Sequence, residues 1–172
     1  RKTITVRARI SGEERWENLN LIAVKDPGKL ELKELTLKDG EYPAGEGDLI
    51  LLAEALQDFP VQVGDVMEIQ LQDDTIRTVA ISGVAKDYTA GVENTINRRV
   101  AFIDSDSLPY FHSTEGFNTL LVSVDGDTND LAHVEAVAKL VHDKVQDSGR
   151  IVISQKIQTS DQHPYGNYID AV

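Results

Sequence analysis

The side chains that could do chemistry are few, and their spacing is poor for it. Four histidines, His112, His133, His142 and His163, form no HExxH pattern and no pair at i, i+4, the spacing that brings two imidazoles to one metal. His133 and His142 lie nine residues apart, about two and a half helical turns, and so point to opposite sides. Cysteine is absent, which excludes thiol catalysis, disulfides and thiolate-ligated metals. No serine stands in a GxSxG elbow, and neither GxxxxGK[ST] nor GxGxxG occurs, so no phosphate-cradling loop is visible.

One stretch resembles a cation loop. In DGDTND, Asp125, Asp127 and Asn129 take positions 1, 3 and 5 of a calcium loop, but Asp130 stands where glycine is needed and Ala136 where the bidentate glutamate belongs. A polar turn capping the helix that follows accounts for the same residues. Paired carboxylates for acid and base work could be drawn from almost anywhere in so acidic a chain, so their abundance carries no signal. Read for chemistry, the sequence does not describe an enzyme, and no cofactor is implied.

The balance of charge narrows the partners. The 172 residues carry 17 Lys and Arg against 29 Asp and Glu, a net charge of −12, which argues against nucleic acid because binding there depends on cations neutralising phosphates. The excess is uneven: residues 1–40 hold nine basic and seven acidic side chains, residues 41–172 eight and twenty-two. The acidic faces keep the chain soluble or attract a cationic partner. Apolar residues make up 41% and charged ones 27%, values of a folded globular chain. The longest apolar run, Leu49–Ala53, is far short of the ~20 residues of a membrane span. The chain begins at Arg1 with neither Met nor a signal segment, as an excised piece would.

These residues must be carried on a largely extended chain. TITVRARI and NLNLIAV alternate apolar and polar side chains, the pattern of half-buried strands, and the first has a basic face of Arg7 and Arg9. LILL, Leu49–Leu52, predicts a strand buried on both faces; AEALQDF makes about two helical turns, stopped by Pro60. VQVGD has turn chemistry in Gly64 and Asp65, then DVMEIQL and TIRTVAISGVAKD alternate again, with a bend at Gly83. VAFI and NTLLVSVDG read as further strands. Leu131, Val134, Ala138, Val141 and Val145 share one face of a long helix, capped by Asp127–Asp130 and stopped at Ser148-Gly149. IVISQKI follows as a strand, which suggests a βαβ unit.

The expected fold class is therefore α+β in two subdomains. Residues 1–38 and 116–172 would form a discontinuous α/β subdomain with one long helix, and residues 39–115 an inserted β-rich lobe.

The run LKDGEYPAGEGDLILLAEALQDFPVQVGDVMEIQLQDDTIRTVAISGVAKD, Leu37–Asp87, resembles the core of the extracytoplasmic domain of MacB/FtsX-like ABC transporter permeases. The Gly40–Pro43 turn, the LILLAEAL junction, VQVGD and the closing SGVAKD stand in the family's order, and NTLLVSVDG, the helix and IVIS resemble its closing βαβ unit. The resemblance covers about two thirds of the chain. Phe59-Pro60 departs from the usual Leu-Gly pair, and the loop from Tyr88 to Arg98 is this chain's own.

What the resemblance implies is a non-catalytic domain on the periplasmic or extracellular side of the cell membrane. Its partners would be the membrane helices of its own parent chain, a cytoplasmic ABC-type ATPase, a second permease copy, and a substrate, lipoprotein or protein partner outside the membrane. ATP hydrolysis would be coupled to export or to signal transmission. Arg1, Lys2, Arg7 and Arg9 would face anionic headgroups or simply be the wet face of a strand. Apolar residues in polar loops, Tyr88, Val92 and Ile96, and then Tyr110, Phe111 and Phe117, are candidate partner contacts or packing between lobes. The alternative is a free-standing secreted binding or inhibitory module with an acidic partner-binding face. A hydrolase whose carboxylates are lost in the acidic background is a third possibility.

Overall fold

Alternation decides which side chains meet, and here it folds the sheet back on itself. The computed structural model describes residues 1–30, 35–43, 45–88, 98–114 and 116–159. Seven strands are present: β1 (Lys2–Ile10), β2 (Glu17–Val24), β3 (Leu35–Gly40), β4 (Asp48–Leu52), β5 (Val66–Gln70), β6 (Ile76–Asp87) and β7 (Val100–Asp104). Their order in the sheet is β3-β6-β4-β7-β2-β1-β5, and β5 also pairs with β6. That last pairing joins the two ends, so six strands close a barrel and β3 is left outside it on β6. The fold is α+β, rich in sheet with one long helix.

β6 makes the closure possible because it is long. Its first half pairs antiparallel with β5, Ile76 to Gln70 through Ala80 to Val66. Its second half pairs on the same edge with β3, Gly83 to Gly40 through Asp87 to Leu35. The other edge runs parallel to β4, and the register slips between Leu49 and Ile50 so that Ser82 is skipped. Such a bulge bends a strand, and it lies beside the predicted bend at Gly83.

The two faces then separate cleanly. Val6 and Ala8, Leu19, Leu21 and Ala23, Leu49 and Leu51, Met67 and Ile69, Val79 and Ile81, Ala101 and Ile103 point inward and fill the barrel. Phe59, Leu108 and Phe111 join them from the 3-10 helices and turns at the barrel's ends. On the outer face Ile22, Val24, Ile50, Leu52, Val100 and Phe102 form a second core under Leu35 and the half-buried Leu30, Leu37 and Tyr42. LILL is thus buried on both faces, as its unbroken apolar run requires. AEALQ is a 3-10 helix, Ala53–Gln57, that ends before Pro60.

The VQVGD motif is architecture. Gly64 has φ +92°, its N–H donates to the Ile81 carbonyl at 2.8 Å, and the Ile81 N–H donates back to Asp65 at 2.9 Å. The Asp65 carboxylate accepts from the Gln62 N–H at 2.8 Å and fixes the turn. The chain enters β5 already stitched to β6.

The contacts divide the chain into two compact units, Arg1–Leu121 and Val122–Val172. This differs from the expected division at residues 38/39 and 115/116. β1 and β2 pair with β5 and β7 inside the barrel, so residues 2–24 belong with residues 48–104 in one sheet. In the second unit, helix α1 (Leu131–Asp147) stands where the apolar spacing put it, with the Asp130 carboxylate accepting from the Ala132 N–H at 3.0 Å and Gly149 at φ +82° as its stop. The strands expected at residues 118–126 and 151–157 carry no ladder among the described residues. Alternation makes a strand only where a neighbour offers its hydrogen-bonding edge, and Ile151 and Ile153 are 86% and 95% exposed.

Two glycines in the same backbone region make a controlled comparison. Gly40 has φ +78° and a Cβ there would lie 2.2 Å from the Ser82 carbonyl oxygen, whereas Gly64 has φ +92° and open space. Gly64→Ala should cost about 1 kcal/mol, the left-handed backbone alone. Gly40→Ala should cost roughly 1–3 kcal/mol more, because backbone must shift. Urea unfolding midpoints of the two variants read the difference, and equal midpoints would contradict the packing described.

Candidate functional site

Among the described residues the barrel interior is filled by apolar side chains. Polar side chains gather instead on the outer wall and at the rims, and there the cations have been placed on aromatic rings.

On the wall, Arg7 and Arg9 lie on one face of β1, two residues apart. Trp16, in the turn that leads into β2, sits beneath both guanidiniums, 5.6 Å and 4.5 Å from its centroid. The antiparallel register sets Arg9 opposite Glu68 and Arg7 opposite Gln70. Arg9 accordingly pairs with Glu68 at 2.6 Å, and Arg7 donates to Gln70 at 3.1 Å. The basic face read from the sequence is present, and half of it is neutralised within the sheet.

A carboxylate organises the end of that wall. Asp58 accepts from Arg98 through both oxygens, at 2.5 and 2.9 Å, and forms an ion pair with Arg99 Nε at 3.2 Å. Arg99 also reaches Glu17 at 3.1 Å, and Arg15 pairs with the same carboxylate. The Arg98 hydrogen bonds, more than Arg99, hold the Asp58 carboxyl down at about 2. This network ties the Ala53–Gln57 turn to the chain that enters β7.

At one end of the barrel, Asp73, Arg77 and His112 form a chain of hydrogen bonds. Arg77 Nη2 lies 2.7 Å from His112 Nε2, and His112 Nδ1 lies 2.7 Å from Asp73 Oδ2. A guanidinium only donates, so Nε2 is the acceptor and the proton sits on Nδ1, donating to Asp73. His112, chiefly through that bond, holds the Asp73 carboxyl down at about 2. His112 itself has φ +50° and ends the 3-10 helix Ser105–Phe111. Asp73 and His112 line a cavity of about 250 Å³ with Ile4, Thr5, Leu71 and Ser113, where β1 keeps β2 on one edge but has no strand on the other, because β5 pairs only with Arg7–Ile10. The Asn118 amide covers part of that bare edge, accepting from the Thr3 N–H and donating to the Thr3 carbonyl, both at 2.9 Å.

The expected contact residues separate into different environments. Tyr88 is 59% exposed; its hydroxyl takes a 2.5 Å hydrogen bond from Lys38, and the Lys38 and Lys86 ammoniums flank its ring at 5.1 and 5.2 Å. The Lys38 bond, ahead of the two lysine charges, lowers the Tyr88 pKa. Tyr110 is half-buried, donates to the Thr78 carbonyl at 2.7 Å and carries Arg77 over its ring. Phe111, 4% exposed, is a core residue packed edge-on to Tyr110, and so is placed as packing rather than as a contact. Phe117 is 58% exposed. Val92 and Ile96 lie outside the described residues.

Phe117 leads to a feature that the sequence did not suggest. It lines a groove of about 370 Å³ with Val24, Leu30, Phe102, Leu120 and Leu121, and Arg1, Lys25 and Lys29 stand on the same lining. The residues are scattered over the chain, so no spacing could have announced them.

The Asp58 network makes a pH prediction. Its folded-state pKa, about 2, lies below the ordinary 3.8, so the carboxylate contributes stability that is full above 3.8 and is lost as pH falls towards 2. Asp58→Asn should therefore unfold more easily than the unsubstituted chain at pH 6, with the gap closing as pH falls to about 2. Thermal unfolding followed across that range checks this, and a gap independent of pH would contradict the ion pairs.

No family model matches the chain, and no curated protein matches it in sequence. Solved structures do. The extracellular domain of the noncanonic ABC-type transporter YknZ from Gram-positive bacteria superposes with a TM-score of 0.52 at 15% identity, covering 84% of this chain and 73% of that one. A domain assigned to a permease protein of Porphyromonas gingivalis superposes with a TM-score of 0.51 at 11% identity, covering 98% of this chain and 76% of the other. The chain therefore shares its fold with the YknZ extracellular domain and with that permease domain.

Proposed function

We propose that this chain is the extracytoplasmic part of an ABC permease and has no catalytic role of its own. A separate cytoplasmic ATPase would drive the parent's membrane helices, and this domain would carry their movement to a substrate, a lipoprotein or a protein partner outside. The likeness of fold to the YknZ extracellular domain is the observation that carries the reading. The ordered motifs from Leu37 to Asp87 support it, and so does the filled barrel, which binds its neighbours through surfaces rather than a lumen.

The MacB/FtsX type, the second permease copy and the contact surfaces belong to the same proposal. Tyr88 and Phe117, both more than half exposed, are its contact residues, with Tyr110 as a partly covered neighbour of Arg77. Arg1, Lys2, Arg7 and Arg9 would lie towards anionic headgroups.

The absence of cysteine supplies the test. Ser11 is exposed in the turn after β1, so Ser11→Cys introduced into the parent protein creates a thiol reporter. In intact cells a membrane-impermeant maleimide should label the Ser11→Cys parent above the level of the unsubstituted parent. Labelling only after the membrane is broken would place the domain inside and overturn the proposal. Labelling of a parent that fractionates as a free, membrane-less secreted protein would favour the binding-module alternative.

A further inference from the structure

The groove beside Phe117 differs from the polar places described above. At those places a cation answers a carboxylate or a ring: Arg9 has Glu68 and Trp16, Arg98 has Asp58, and Arg77 lies over Tyr110. At the groove, Lys29 pairs with Asp26 at 2.8 Å, but Lys25 is exposed and has no ion pair among the described residues. Lys25 and Lys29 thus stand against one carboxylate, that of Asp26, in a chain whose net charge is −12. The floor between them is apolar. Val24 and Phe102 come from the outer core of β2 and β7, Leu30 from the turn after β2, and Phe117, Leu120 and Leu121 from the segment that passes over them.

Leu120 is 64% exposed and Phe117 58%, so the apolar wall is uncovered on one side. Apart from the cations, Thr119 is the one polar side chain of the lining. The N–H groups of Asn118 and Thr119 already donate to the Arg1 carbonyl, at 3.2 and 3.1 Å. An extended peptide needs backbone donors and acceptors along its length, and this segment has given those two away. An alkyl chain needs none, and an anionic head at its end would find Lys25 and Lys29.

We propose that the groove between the ends of β2 and β7 and the segment 117–121 binds a single-chain anionic amphiphile as a monomer. The alkyl chain lies on Phe102, Phe117 and Leu120, and the carboxylate or phosphate head lies against Lys25 and Lys29. The size is suitable, since sites for small ligands begin at about 300 Å³. The site stands apart from the permease reading: it depends only on the 172-residue chain and is read without a membrane.

The test is calorimetric titration of the purified 172-residue chain with hexadecanoate below its micelle concentration, and with hexadecyltrimethylammonium as the cation of equal chain length. Hexadecanoate should bind saturably with one site per chain, and the trimethylammonium compound should bind several-fold more weakly. Leu120→Asp places a carboxylate on the apolar wall and should weaken hexadecanoate by about tenfold or more. Lys25→Glu leaves the floor intact and should weaken it by roughly threefold, with the loss shrinking in high salt. Both side chains are exposed, so the urea midpoint of each variant should match that of the unsubstituted chain, which shows that the fold is kept.

Several results overturn the proposal: no saturable binding, equal binding of the two head groups, or both variants binding as the unsubstituted chain does. So does co-sedimentation with phosphatidylglycerol vesicles without binding of monomeric hexadecanoate, which would make the groove part of a membrane-facing surface. Failure of the maleimide labelling would leave amphiphile binding untouched, and failure of the titration would leave the topology untouched.

Discussion

The pairing of β6 with β5 is the constraint on which the rest of the first unit depends. Without it the sheet would be open, with β5 and β3 at its ends and one face of the inner core against water. With it, every inward residue from β1, β2, β4, β5, β6 and β7 loses contact with solvent at once, and burial of apolar surface is the largest favourable contribution to folding. The closure asks for a strand long enough to serve two neighbours in turn along one edge, and then for a place to bend. β6 meets both demands: its twelve residues span β5 and β3, and Gly83, where a Cβ would come within 2.8 Å of the Glu41 carbonyl oxygen, admits the crossing chain.

The surface follows from the charge left over once the core is closed. A chain with so many carboxylates repels itself, and its relatively few cations are stationed where they serve twice. Arg9 joins β1 to β5 through Glu68 while covering Trp16, and Arg77 holds His112 while covering Tyr110. Asp58 draws Arg98 and Arg99 together at the entry to β7. Trp16, Tyr88 and Tyr110 thus act as platforms for cations. That explains why Tyr88, an apparent loop aromatic, is bracketed by Lys38 and Lys86 rather than by other apolar groups.

Local patterns in the sequence were readable where a single segment determines the outcome. Alternation in TITVRARI, the unbroken LILL, the turn at Val-Gly-Asp and the capped helix from Leu131 each correspond to an observed element. Segments whose state depends on a distant partner were misread. NTLLVSVDG and IVISQKI alternate as strands do, yet they lack a neighbour's edge among the described residues. The same reason explains the division of the chain, because only the β1–β5 and β2–β7 pairings show that the first two strands belong to the barrel. Phe111 looked like a loop aromatic, although the 3-10 helix turns it inward beside Leu108. The groove was invisible because residues 24, 30, 102, 117 and 120 meet only in space.

The packed lumen has a mechanical meaning. Leucine, isoleucine, valine and methionine from six strands occupy the space a channel would need, and interiors packed in this way have low compressibility. A barrel of this kind behaves as a solid bearing: displacement applied at one rim reaches the other with little loss, while nothing the size of a side chain can thread through its axis.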